Sequence, residues 1–154
     1  MKLKATLLTF GEDSRPDWFG DVVTFQPGSL FTDDHQAVAL FISHYDRDGG
    51  AAGKALSIWT EGNSVMGEFE LLDTPAGQQA AIELAAGVRW DVSVGVLLED
   101  YSSDDIEDAP DSYWGPPQRV TVAAADLFEV SLCLRGRMPS ARVDEVHESE
   151  GVPA

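Results

Sequence analysis

Cysteine is nearly absent from the sequence. Cys133 stands alone in 154 residues, so no intrachain disulfide forms, and a reducing, intracellular setting is the natural expectation. Basic residues are scarce too. Ten Lys and Arg, three of them Lys, face twenty-seven Asp and Glu, for a formal charge of −17. Neutralising nucleic-acid phosphates takes clustered Lys and Arg, so the balance argues against a nucleic-acid ligand. It argues equally against an anionic membrane surface. Long apolar runs are missing: no stretch of about 18 such residues exists to span a bilayer. Met1-Lys2-Leu3-Lys4 begins like an export signal, but the apolar stretch stops at Gly11-Glu12-Asp13, short of a signal's apolar core. There is no H-E-x-x-H, no cysteine cluster and no close pair of histidines, so neither a metal nor another cofactor is expected. Gly49 to Lys54 holds Gly and Lys without phosphate-loop spacing and reads as a turn.

What remains is enough for a core. Apolar residues make up 44%, and a chain this long buries about two-thirds of its unfolded surface. No linker divides it, so residues 1–146 read as one domain and 147–154 as a polar tail. Most segments read as short strands between Gly, Pro and Asp turns. Val22 to Phe25 is one, and Ala37 to Ser43 is an apolar run expected to be buried on both faces. Ala55–Thr60 and Val65–Leu72 form a hairpin around Glu61-Gly62-Asn63. One helix stands out: Thr74 caps it, Pro75 takes its first position and Gly87 ends it. The strand from Trp90 to Leu98 puts Val92, Val94, Val96 and Leu98 on the core face and Ser93 beside Gly95 on the other. Glu99 to Asp111 holds seven acids and no base, and is expected to be an exposed, mobile loop. Arg119–Ala123 and Leu127–Leu134 follow as separate strands. In the second, Phe128, Val130, Leu132 and Leu134 share one face, and Glu129, Ser131 and Cys133 the other. The stretch from Glu145 onward reads as frayed.

Few residues here can carry chemistry. A hydrolytic nucleophile needs a base in reach and a group to orient that base. The histidines are His35, His44 and His147, of which only His44 ends an apolar strand. By itself it reads more readily as a structural histidine. Ser93 reads as an ordinary strand serine or as a hydroxyl beside the open notch that Gly95 leaves for a substrate backbone. It is no nucleophile elbow, because Asp91 stands where G-x-S-x-G needs glycine. Glu129, between Phe128 and Val130, is either an edge acid facing water or a buried acid needing a partner.

Taken in order, Gly28-Ser29-Leu30-Phe31, Ser43-His44-Tyr45-Asp46, Gly53-Lys54-Ala55-Leu56, Asp91-Val92-Ser93-Val94-Gly95-Val96 and Ala125 to Leu132 resemble the tailed-phage prohead serine proteases. These are capsid maturation enzymes. The likeness spans roughly residues 18–146. Their pattern is a proline-glycine start, a histidine-aspartate region, a glycine-containing strand, a Ser-x-Gly strand and a Leu-x-Glu-Val-Ser-Leu strand. Tyr45 separates His44 from Asp46, and Arg135-Gly136-Arg137 replaces the family's proline-alanine turn.

That family is similar in fold to the herpesvirus assemblins. The resemblance therefore implies an α+β, mostly β chain: a mainly antiparallel β-barrel with a few flanking helices. It implies Ser93 as nucleophile, His44 as general base and Glu129 as third triad member. Arg137, Gly136 and Gly95 are implied at the oxyanion and substrate-binding site. The substrates would be the major capsid protein precursor, its scaffold segment and the protease itself, cut inside an assembling procapsid in the host cytoplasm. A homo-oligomer stays open. The rival readings are a catalytically inactive, structural or binding module of the capsid that keeps the barrel, and an unrelated acidic barrel that docks a basic partner through residues 99–111.

Overall fold

Alternation between apolar and polar residues dominates the chain, and it closes into a barrel. In a computed structural model, residues 1–32, 38–43, 50–88, 90–107 and 115–148 are described. The strands are β1 (Lys2–Thr9), β2 (Val22–Phe25), β3 (Leu30–Phe31), β4 (Ala39–Ile42), β5 (Gly53–Glu61), β6 (Ser64–Leu71), β7 (Asp91–Asp105), β8 (Gln118–Cys133) and β9 (Arg142–His147). One helix, α1 (Pro75–Ala85), accompanies them among the described residues, where a few were expected. The mostly β barrel is otherwise as anticipated.

Seven strands form the ring, in the order β8-β4-β5-β6-β1-β9-β7 and back to β8. The β7–β9 seam is short, pairing Asp91 with Arg142. Closure removes the exposed edges on which open sheets aggregate. β8 is the spine. One edge pairs with β7 along nearly its whole length, and the other takes β2, β3 and β4 in succession, all parallel. The remaining pairs are antiparallel.

Inside the ring, Leu3, Leu7, Leu40, Phe69, Val92, Val130 and Leu132 are buried in one core. At about 25 cal/mol per Å² of apolar surface, such burial is the main term holding the barrel shut. Helix α1 starts as its sequence indicates. The Thr74 hydroxyl accepts from the Gly77 N–H at 3.0 Å and donates to the Ala51 carbonyl at 2.6 Å. Gly87, at φ +84°, takes the left-handed position just past the helix end.

The start of the chain, for which the sequence analysis assigns no element, is β1, with Leu3, Ala5 and Leu7 inward, and it pairs with both β6 and β9. Three expectations differ from the structure. The end is a strand through His147, because Val143 and Val146 give β9 enough pattern to pair with β1. Residues 99–105 are strand, not loop: β7 runs on to Asp105 against β8, so the acidic stretch begins as one arm of a solvent-exposed ribbon. The rest of that stretch from residue 108 lies outside the described residues. The two strands proposed between Arg119 and Leu134 are one strand, β8.

Candidate functional site

The register of β7 against β8 builds the site. Ser93 pairs with Ser131, Gly95 with Glu129 and Asp91 with Cys133. Directly opposed residues share a face, so Ser93, Ser131, Glu129 and Cys133 gather on one side of the sheet. Their neighbours Val92, Val130 and Leu132 enter the core on the other. A bulge sharpens the division. Gly95 faces Glu129 and Val96 faces Leu127, leaving Phe128 without a partner on β7. Phe128 is therefore 50% exposed instead of lying on the core face, while Leu127 is buried. Leu134 lies beyond the end of β8 and is exposed as well. Leu98, expected in the core, is exposed where β7 leaves the barrel.

Glu129 and Ser131 are buried. The Ser131 hydroxyl donates to Glu129 Oε2 at 2.8 Å, so the acid is held by a hydrogen bond within the strand. The notch at Gly95 is not open. A Cβ there would sit 2.3 Å from Glu129 Oε1, so the glutamate side chain lies across Gly95 and fills it. Gly95 makes room for the acid, which corrects its assignment as a landing place for substrate backbone.

Ser93 opens on an open cleft of about 680 Å³, lined also by Arg15, Ser43, Cys133, Arg135 and Arg137. It borders a second, largely apolar cavity of about 240 Å³ with Val23, Phe25, Val96 and Met138. Ser43 sits where β4 ends. Its N–H donates to the Leu132 carbonyl at 2.9 Å, and its φ of 56° turns the chain off the sheet. His44 follows it in the sequence and lies outside the described residues, as does His35. His147 pairs with Glu145 at 3.0 Å on β9.

Gly136 is glycine because its segment presses on β7: a Cβ would meet the Val92 carbonyl oxygen at 2.5 Å. Its N–H donates to Asp91 Oδ2 at 2.8 Å. That amide, expected at an oxyanion site, is therefore already engaged by a carboxylate. Arg137 fastens the segment around residues 15–21. Its Nη2 donates to the Asp21 carbonyl at 3.1 Å and lies 3.6 Å from Asp17 Oδ2, while the Arg15 N–H donates to the Arg137 carbonyl at 2.7 Å.

Three participants were not singled out from sequence. Asp91 and Ser131 each carry a signal, being two residues from Ser93 and Glu129 on the same strand faces. Arg15 carries none, because only the tertiary fold brings it to the cleft.

Cys133 lines the same cleft. Burial, and next the Asp91 carboxylate, push its thiol up to about 11. Alkylation by iodoacetamide near neutral pH is expected to be slow and to accelerate up to about pH 11; fast labelling at neutral pH would contradict this environment. Among the described residues no group of His, Cys, Asp and Glu is arranged to hold a metal ion.

No protein-family model matches the chain, and neither the curated proteins nor the solved structures yield a match.

Proposed function

We propose that this protein is a serine endopeptidase of the prohead-protease kind, cutting capsid precursor, scaffold segment and itself during procapsid maturation. One observation carries the reading. Ser93 stands at a cleft, opposite the buried Ser131–Glu129 pair, and Ser43, the residue before His44, lines the same cleft. The closed barrel agrees with the assemblin-like architecture that the motif order implies.

In this mechanism Ser93 Oγ attacks the peptide carbonyl while His44 takes its proton. Glu129, held by Ser131, fixes the imidazole tautomer and stabilises the imidazolium. The tetrahedral oxyanion is met by donors of the Arg137 segment rather than by the Gly136 amide. His44 returns the proton to the leaving amine, and water then releases the acyl group by the same steps. Confinement in a shell raises the effective concentration of substrate and compensates for weak affinity.

A fluorophosphonate probe tests the nucleophile without knowledge of the substrate. The expected result is one adduct per chain, mapped to Ser93 by peptide mass and absent from Ser93→Ala and His44→Ala. An unmodified Ser93 under prolonged exposure would favour the inactive structural module.

A further inference from the structure

The sequence has twenty-seven acids for ten bases, yet the cleft at Ser93 is lined by Arg15, Arg135 and Arg137, with no Asp or Glu among its described lining residues. Elsewhere arginines sit with carboxylates: Arg119 with Asp13 and Arg142 with Asp144. Arg137 is partly answered by Asp17. Arg15 and Arg135 differ. The Arg15 Nη1 donates to the Gly136 carbonyl, and no carboxylate pairs with that guanidinium among the described residues. Arg135 is exposed and makes no side-chain hydrogen bond or ion pair among them. The nearby acids Asp91 and Glu129 are occupied by the Gly136 N–H and the Ser131 hydroxyl, and neither lines the cleft.

On so acidic a chain, acids are the commonest available partners, and two guanidiniums at a single cleft with no carboxylate partner among the described residues mark a place for a carboxylate from outside. Guanidinium suits that ligand, since its planar fork matches both carboxylate oxygens. With a formal charge of −17 on the chain, an acidic peptide finds its best complement at this cluster of arginines.

We propose that Arg135 and Arg15 form a carboxylate subsite beside Ser93, so that the peptide cut there carries a carboxylate in its bound segment. This deepens the protease reading and rests on it. The carboxylate belongs either to an Asp or Glu side chain or to a free C-terminus.

The test is cleavage of two randomised peptide libraries, one with free and one with amidated C-termini, read by mass spectrometry, with wild type, Arg135→Gln and Arg135→Glu. Wild type is expected to enrich Asp or Glu at one fixed position from the cut in both libraries. Cleavage confined to the free-terminus library, at a fixed distance from its end, would identify the terminal carboxylate instead. Arg135→Gln is expected to lose the preference, with kcat/KM on the selected peptide falling about tenfold. Arg135→Glu should shift selection toward Lys and Arg. Unchanged thermal midpoints would show that both variants are folded. Cleavage by wild type without acidic preference, or with a preference that Arg135→Gln retains, would overturn the subsite and leave the protease standing. No cleavage together with no fluorophosphonate adduct at Ser93 would instead overturn the protease reading, and the subsite with it.

Discussion

Co-expression with the cognate capsid precursor is expected to give discrete truncated products with the wild-type chain and none with Ser93→Ala. Intact mass reads both arms and places the cut to the residue. The effect is large because the proposed mechanism makes the hydroxyl the bond-forming atom: removing a triad nucleophile costs about 10⁴-fold or more, and what survives comes from binding and oxyanion contacts alone. The substitution is mild for the fold. Ser93 sits on the face away from the core and deletes only one oxygen, while Val92 beside it stays buried. A lost cut with an unchanged unfolding midpoint therefore speaks to chemistry. Uncut precursor with both chains, and shells that assemble normally, would remove the enzyme and leave a structural element of the capsid.

The strand faces that gather around Ser93 are legible in the sequence, and the limits are physical. Ser93 and Gly95 on one face of β7, and Glu129 and Ser131 on one face of β8, follow from a period of two. What periodicity cannot supply is register. Pairing Ser93 with Ser131 and Gly95 with Glu129 is decided by the bulge at Phe128, and a one-residue slip would send those side chains into the core. The same bulge turned Phe128 outward although its apolar character pointed inward. Helix α1 was readable to its caps because Thr74, Pro75 and Gly87 act locally. β1 and β9 were missed for the opposite reason. Each is stabilised by a partner from the far end of the chain, and a short, charged strand such as Arg142–His147 gains its place only by closing the ring between β1 and β7. Exposed acids likewise looked like loop at residues 99–105, where backbone pairing with β8 outweighs the charge.

The second large effect is expected at Gly95. Gly95→Ala places a methyl 2.3 Å from Glu129 Oε1 and 2.5 Å from its Cγ. Two relaxations are open, and both do damage. If β7 moves, the pairing with β8 is strained, at about 1–3 kcal/mol for overpacking. If the glutamate rotates instead, its hydrogen bond with the Ser131 hydroxyl is lost, at about 1–3 kcal/mol for a buried bond to a carboxylate. The first relaxation displaces Ser93 with β7, and the second takes the carboxylate from the position from which it would orient a base, so on the proposed mechanism cleavage should fall by about 10²-fold or more. Chemical denaturation and cleavage rate measure the two losses. The decisive comparison is a double-mutant cycle with Glu129→Ala. Once the acid is removed there is nothing for the methyl to strike, so adding Gly95→Ala should cost little further stability, a coupling of about 1–3 kcal/mol. Additive losses, or a Gly95→Ala variant as stable and active as wild type, would mean that the glutamate does not lie across the strand, and the buried acid would lose its claim to the triad.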